Sequence, residues 1–238
     1  MTPVKQGLVL TPDTLNTPFA ESYRSLRANI GFSSLDQTVK TILVTSASPQ
    51  EGKSTTLLNL AIIMAQAGPR VIAVDADFRH PALHVLLGQS LNGVTLRPGL
   101  SNLMGGTATI ADVVRPTAFP RLGLIPAGFV PRNPGELLGS RRMRAVIQEL
   151  ADQADVVLLD SPPCLQYADA LVLSSMVDGV LYVVRAGAQD TMAQRRVQRQ
   201  LQGAKARMLG VVFNGVEAGQ QARPSVYNRN GHKGPQSD

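Results

Sequence analysis

An apolar run, Ile42-Leu43-Val44, leads into a short polar loop that closes on Gly52-Lys53-Ser54-Thr55, and residues 56–65 then continue almost wholly apolar. The run reads as a buried strand and the stretch beyond the loop as a helix apolar on nearly every side. Strand, tight loop and buried helix, in that order, are the setting of a phosphate-binding P-loop. Such a loop turns successive backbone N–H groups onto an anion. The helix start adds its free N–H groups and the positive end of its dipole. On this reading Gln50, Glu51, Gly52, Lys53, Ser54 and Thr55 line a nucleotide, Lys53 reaches its outer phosphates, and the Ser54 hydroxyl ligates Mg²⁺. Ala47 stands where the consensus loop has a further glycine. Taken alone, the segment could equally be an ordinary helix start with Ser48 or Glu51 near the cap.

Two later strands end in the same way. Val71-Ile72-Ala73-Val74 runs into Asp75-Ala76-Asp77, and Val156-Val157-Leu158-Leu159 runs into Asp160-Ser161-Pro162-Pro163. In a parallel sheet, ligands sit beyond the carboxyl ends of the strands, and a carboxylate there holds Mg²⁺ directly or through water. Each aspartate by itself could be a turn or a cap. Three strands ending in Gly-Lys-Ser, Asp-x-Asp and Asp-x-x-Pro point to one site. The expected fold is a single α/β P-loop NTPase domain, with a mostly parallel central sheet and helices on both faces. Lys53, Asp75, Asp77 and Asp160 should meet at one edge of that sheet.

The three segments resemble the Walker A, Walker A′ and Walker B motifs of the bacterial tyrosine kinases of capsule and exopolysaccharide export. That family is itself similar to the P-loop ATPases of septum-site and plasmid-partition systems. Matching segments extend over residues 17–216: Glu21-x-x-Arg24-x-x-Arg27, Arg79-His80-Pro81, Pro98-Gly99-Leu100-Ser101, Asn133-Pro134-Gly135-Glu136-Leu137-Leu138, Asp169 and Asn214. The resemblance implies an ATP-dependent, autophosphorylating protein-tyrosine kinase. Lys53, Asp75 and Asp77 would be catalytic, with Asp75 orienting or deprotonating the tyrosine hydroxyl. Mg²⁺ would be held by Ser54, Asp77 and Asp160, and Asn214 would read the adenine edge. Glu21, Arg24 and Arg27 would dock on a neighbouring subunit in a homo-oligomer. The partner would be a membrane-bound polysaccharide co-polymerase with an activating cytoplasmic tail, which implies a cytoplasmic protein recruited to the inner face of the plasma membrane.

Other readings of these residues stand beside the family ones. Glu21, Arg24 and Arg27 fall within about 120° of one helix face, where simple surface pairing also occurs. Arg79 could contact phosphate, support the carboxylates or form a structural salt bridge. Asp169 reads as a cap or supporting group, and Asn214 could be a turn residue before Gly215.

Composition narrows the classes. The chain has 238 residues, enough for one domain with a sizeable core. It holds no run of about 18 apolar residues, and its start lacks the apolar core of a signal peptide. One cysteine, Cys164, excludes an internal disulfide and reads as a buried structural thiol in a reducing compartment. With three histidines and one cysteine, no zinc or haem site is expected. The net charge of +6 includes basic groups at Arg141, Arg142 and Arg144 and at Arg195, Arg196 and Arg199. These suit an anionic membrane, nucleic acid, an acidic partner or, most commonly, plain solvation. No Trp and few other aromatics argue against single-stranded nucleic acid as a partner.

Residues 1–17 read as a flexible lead, 18–216 as the kinase domain with its oligomerisation helix, and 217–238 as a disordered tail. The family tail carries several tyrosines; this one holds only Tyr227. Gln50 occupies a place commonly glycine in the family, which matters only if its φ is positive. These departures keep two alternatives open: a partition-type ATPase switch, or a weakly active nucleotide-dependent clamp on a co-polymerase. Partition ATPases usually place a lysine early in the loop, where this chain has Ser46-Ala47-Ser48.

Overall fold

A computed structural model describes residues 9–33, 37–88, 98–187 and 191–216. The expected tail and Tyr227 lie outside the described residues. The chain begins with helix α1 (Pro18–Ser33), strand β1 (Thr41–Ser46), helix α2 (Lys53–Gln66) and strand β2 (Val71–Asp75). Short helices α3 (Leu83–Leu86), α4 (Leu100–Met104) and α5 (Ile110–Val113) follow, then β3 (Arg115–Pro116) and β4 (Leu122–Ile125). The second half runs through α6 (Pro134–Leu138), α7 (Arg141–Gln153), β5 (Val156–Asp160), α8 (Asp169–Ser174), β6 (Gly179–Arg185), α9 (Thr191–Gly203) and β7 (Met208–Asn214).

The strands form one sheet in the order β3-β4-β2-β5-β1-β6-β7. Every pairing is parallel except the short antiparallel β3–β4 edge. The apolar runs show why. Ile42 and Val44 point to one face and Leu43 to the other; Leu158 points with the first pair, and Val157 and Leu159 with the second. Both faces are therefore apolar, and each is covered by helices, as a parallel sheet requires. α1, α2 and α3 close one layer, and α4 to α9 the other. α2 is apolar all round because the sheet covers one side and α1 packs against it. Among the described residues no helix is long and apolar enough to cross a membrane.

Part of the stretch expected to be a loose lead is packed. Leu10 is buried and its N–H donates to Asn59 Oδ1 at 2.8 Å, and residues 12–14 make a turn of 3₁₀ helix. An apolar side chain and a satisfied backbone donor outweigh the absence of sequence periodicity there.

The glycine-rich stretch around Pro98 also has a role that its composition concealed. The N–H groups of Leu100 and Ser101 donate to the carbonyls of Pro126 and Ala127, at 2.8 and 3.0 Å. This pins α4 to the carboxyl end of β4. The two backbones approach so closely that a methyl on Gly99 would strike the Pro126 carbonyl and the Gly128 backbone. Gly128 itself has φ +85°. Gly99→Ala should therefore cost about 2–3 kcal/mol, an expected fall of roughly 5–10 °C in Tm. Thermal unfolding of the variant checks this.

Candidate active site

β1, β2 and β5 end side by side, and their final residues converge. Asp75 and Asp160 are direct partners across the β2–β5 ladder, and Asp160 also faces Val44 of β1. Strand register alone thus carries two carboxylates to the mouth of the P-loop. Lys53, in the first turn of α2, places Nζ 3.1 Å from Asp77 Oδ2 and 3.6 Å from Asp160 Oδ2. It also donates to Ser54 Oγ at 3.2 Å, and that hydroxyl in turn donates to Asp160 Oδ2 at 2.5 Å. The four side chains expected at one edge of the sheet, Lys53, Asp75, Asp77 and Asp160, are together there.

Each carboxylate has its own support. Asp75 Oδ2 accepts the backbone N–H groups of Ala82 and Leu83 at 3.0 and 3.1 Å. Asp77 Oδ1 accepts those of Arg79 and His80 at 3.2 and 2.9 Å. All three aspartates are buried, and the remaining oxygens, Asp75 Oδ1 and Asp160 Oδ1, have no hydrogen-bond partner. Buried acceptors are rarely left so. Burial, with Asp160 beside it, pushes the Asp75 carboxyl up to about 8. Burial raises Asp160 as well, against the pull of Lys53 and Ser54. Lys53 is held above its ordinary value: burial lowers it, but Asp160 and Asp77 outweigh burial.

The loop itself is shaped by two left-handed residues. Gly52, at φ +92°, turns the chain into α2, and Asn214 at the end of β7 lies directly against it. A methyl on Gly52 would collide with the Asn214 amide. Asn214 Nδ2 donates to the Glu51 carbonyl at 3.0 Å, so this residue reaches the loop from the sheet's far strand. Glu51 turns inward and braces the loop, accepting the Ser48 N–H at 2.9 Å. Thr55 is half-buried in the first turn of α2. Ala47, in the place of the consensus glycine, is outside the left-handed region, and its carbonyl accepts the Leu165 N–H at 3.3 Å. No glycine is needed there.

Gln50 differs: its φ is +63°. A side chain costs about 1–2 kcal/mol in that region, while glycine loses about 0.5–1 kcal/mol more entropy on folding. Gln50→Gly should therefore leave stability level or raise it by up to about 1 kcal/mol, and it should tighten nucleotide binding a few-fold by relaxing the loop. Binding of a fluorescent ATP analogue, measured beside Tm, tests both.

Beyond the aspartates, Arg79 forms a bidentate bridge to Asp169, with Nε 2.9 Å from Oδ2 and Nη2 3.3 Å from Oδ1. Its guanidinium lies 3.8 Å from the centre of the Tyr167 ring. Of the roles open to Arg79, its side chain forms the salt bridge, and its backbone N–H supports the Asp77 carboxylate. Asp169, in the first turn of α8, is its partner. Cys164 is buried, its thiol pushed up to about 11 by burial, and lies 3.3 Å from Thr45 Oγ1. Away from the site, Glu21 and Arg24 pair at 2.9 Å on α1, and Arg24 also donates to the Leu15 carbonyl at 2.6 Å. Arg27 is half-buried on the same helix.

The residues suit a hard cation held mainly by phosphate and water. The Ser54 hydroxyl and the Asp77 and Asp160 carboxylates beside it are all oxygen donors. Among the described residues no three His, Cys, Asp or Glu side chains are grouped to hold a metal ion by themselves.

Residues 39–197 match the AAA domain family. Over 216 residues the chain is 34% identical to the tyrosine-protein kinase YwqD of Bacillus subtilis, covering 91% of this chain and 88% of that one. It is 36% identical over 200 residues to the putative tyrosine-protein kinase EpsB of Ralstonia nicotianae, where it spans only 26% of the relative's length. Among solved structures, the kinase domain of the Escherichia coli tyrosine kinase ETK superposes with a TM-score of 0.79 at 28% identity, covering 91% of this chain and 84% of that one.

Proposed function

This chain belongs to the bacterial tyrosine-protein kinases of the AAA domain family, and on that premise we propose how its residues move the terminal phosphoryl group of ATP to a tyrosine hydroxyl. It is an ATP-dependent protein-tyrosine kinase. The observation that carries the assignment of roles is the convergence of Lys53, Ser54, Asp75, Asp77 and Asp160 on one loop.

Backbone N–H groups of the loop and the start of α2 would hold the β and γ phosphates, and Lys53 would leave its aspartate partners to meet them. The transferring group carries its charge on peripheral oxygens, so positioned cations are the main catalytic contribution. When bound, Mg²⁺ would sit on the Ser54 hydroxyl, with Asp77 and Asp160 reached through water, and would neutralise phosphate charge. Asp75 is the base. A phenol with a pKa of about 10 needs an acceptor tuned towards neutrality; the ionised form of the raised Asp75 carboxyl, through its unpartnered Oδ1, would be that acceptor. Asn214 would face the adenine with the part of its amide not bonded to Glu51.

The acceptor is Tyr227, the half-buried Tyr167 or a tyrosine of another protein. Tyr23 and Tyr182 are buried; the Tyr182 hydroxyl bonds the Gln194 side chain, and burial raises both phenols. Assembly would run through Glu21, Arg24 and Arg27 of α1, with a membrane-bound polysaccharide co-polymerase as activator of capsule or exopolysaccharide assembly. That partner would bring the protein to the inner face of the plasma membrane.

The test is incubation of the purified protein with γ-labelled ATP and the partner's cytoplasmic tail, followed by mass spectrometry for phosphotyrosine. Label on tyrosine that depends on Lys53 is expected. ATP binding without any transfer would remove the kinase assignment.

A further inference from the structure

Three segments at the phosphate end of the sheet are joined by one charged contact that takes no direct part in the chemistry described above. Arg79 follows the Asp75-Ala76-Asp77 turn, Asp169 opens α8 beyond β5, and Gly135 lies in α6. We propose that the Arg79–Asp169 pair, seated on Tyr167, is a positioning clamp that fixes the Asp77 carboxylate. The proposal rests on the kinase reading only for the activity through which one of its two readouts is made.

The argument starts at Asp77. Its Oδ1 is held by the backbone N–H groups of Arg79 and His80, and its Oδ2 by Lys53. The carboxylate's direction therefore depends on where the backbone of residues 79–80 lies. Neither residue is in a helix or a strand, so no ladder fixes that backbone. What anchors it is the Arg79 side chain, tied at two nitrogens to both oxygens of Asp169 and lying over the Tyr167 ring. A planar fork on a carboxylate fixes direction as well as distance, and the ring limits rotation of the guanidinium.

Asp169 is itself well placed to serve as an anchor. It is buried, with 3% of its side chain exposed against 28% for Arg79. A buried carboxylate is costly without its cation, so the pair resists opening. Asp169 Oδ1 also lies close to Gly135, where an added methyl would stand only 3.2 Å from it. This gives the glycine in the Asn133-Pro134-Gly135 segment a physical reason: it leaves space for the carboxylate.

Two readouts test the clamp. The first is hydrogen exchange at the Arg79 and His80 amides of the nucleotide-free protein. Asp169→Asn should speed exchange there about tenfold or more while amides of β5 and α2 keep their protection, since only the local opening changes. The second is kinetic. Asp169→Asn and Arg79→Gln should each lower kcat for tyrosine transfer about 10–100-fold with little change in KM for ATP, and the double variant should be no worse than either alone. Arg79→Lys, which keeps the charge but loses the fork, should fall between.

Unchanged exchange at residues 79–80 in Asp169→Asn overturns the clamp, whether or not the chain transfers phosphate. So do kcat losses that multiply in the double variant. Absence of transfer by the parent protein would instead strike the kinase reading and leave the exchange result standing. Should Asp169→Asn fail to fold, Gly135→Ala decides the matter. It presses on Asp169 Oδ1 without removing a charge, and it should loosen the same two amides by a smaller factor; no change there would sink the proposal.

Discussion

Lys53→Met is expected to abolish tyrosine transfer and, at the same time, to weaken the fold. The catalytic loss follows from the cation's place over the phosphates: removing one preorganised group from a developing charge costs about 10²–10³ in rate, and a P-loop lysine should sit at or beyond the top of that range. The loss of stability follows from what Lys53 does without nucleotide. Its ammonium lies 3.1 Å from Asp77 and 3.6 Å from Asp160, both buried. Breaking a buried pair by deleting one partner typically costs about 3–5 kcal/mol, because the other charge stays buried alone.

Asp160, which burial already raises against the pull of Lys53, can relieve the penalty by taking up a proton. The variant should therefore be less impaired at pH 5.5 than at pH 8, where Asp160 must stay an anion with no cation beside it. Thermal unfolding at the two pH values, set beside transfer of label from ATP, measures both halves. A variant as stable as its parent at pH 8 would mean that Asp160 does not depend on Lys53 for its charge.

How much of this could be read from the chain alone depends on the distance over which each feature is decided. The three strands that end in chemistry were legible because each is a local apolar run followed at once by Gly-Lys-Ser, Asp-x-Asp or Asp-x-x-Pro. What stayed hidden was decided elsewhere. The partner of Arg79 lies 90 residues along the chain, and nothing near either residue announces the other. The backbone joint of Gly99 with Pro126 and Gly128 needs two loops brought together by the sheet. Leu10 is buried because it joins the apolar layer of α1 and α2, where Asn59 takes its N–H. Gln50 was recognisable as a departure, but its φ of +63° is a property of the closed loop and is written in no single residue.

Asp75→Asn should separate stability from activity more sharply than any other change in the site. Asp75 sits fully buried opposite Asp160, and its carboxyl is displaced upward from 3.8 to about 8, first by burial and then by Asp160. In the unfolded chain the same group ionises near its ordinary value. Between about pH 4 and pH 8 the folded protein thus keeps a proton that the unfolded chain has lost, so the folded state binds more protons and stability falls as pH rises across that window. Asparagine has no proton to lose, and its side-chain oxygen can still accept the N–H groups of Ala82 and Leu83 that now bond Asp75 Oδ2.

The variant should therefore match its parent near pH 4 and exceed it above pH 8, by about 1–3 kcal/mol or roughly 3–10 °C in Tm. Transfer to tyrosine should fall by about 10²–10⁴, the usual worth of a general base, while ATP binding persists on the loop. If the stability difference were the same at pH 5 and pH 8.5, the carboxyl would be titrating normally despite its burial. If transfer were undiminished, the base would have to be sought among the other two carboxylates, with Asp75 left as a neutral support for the turn before α3.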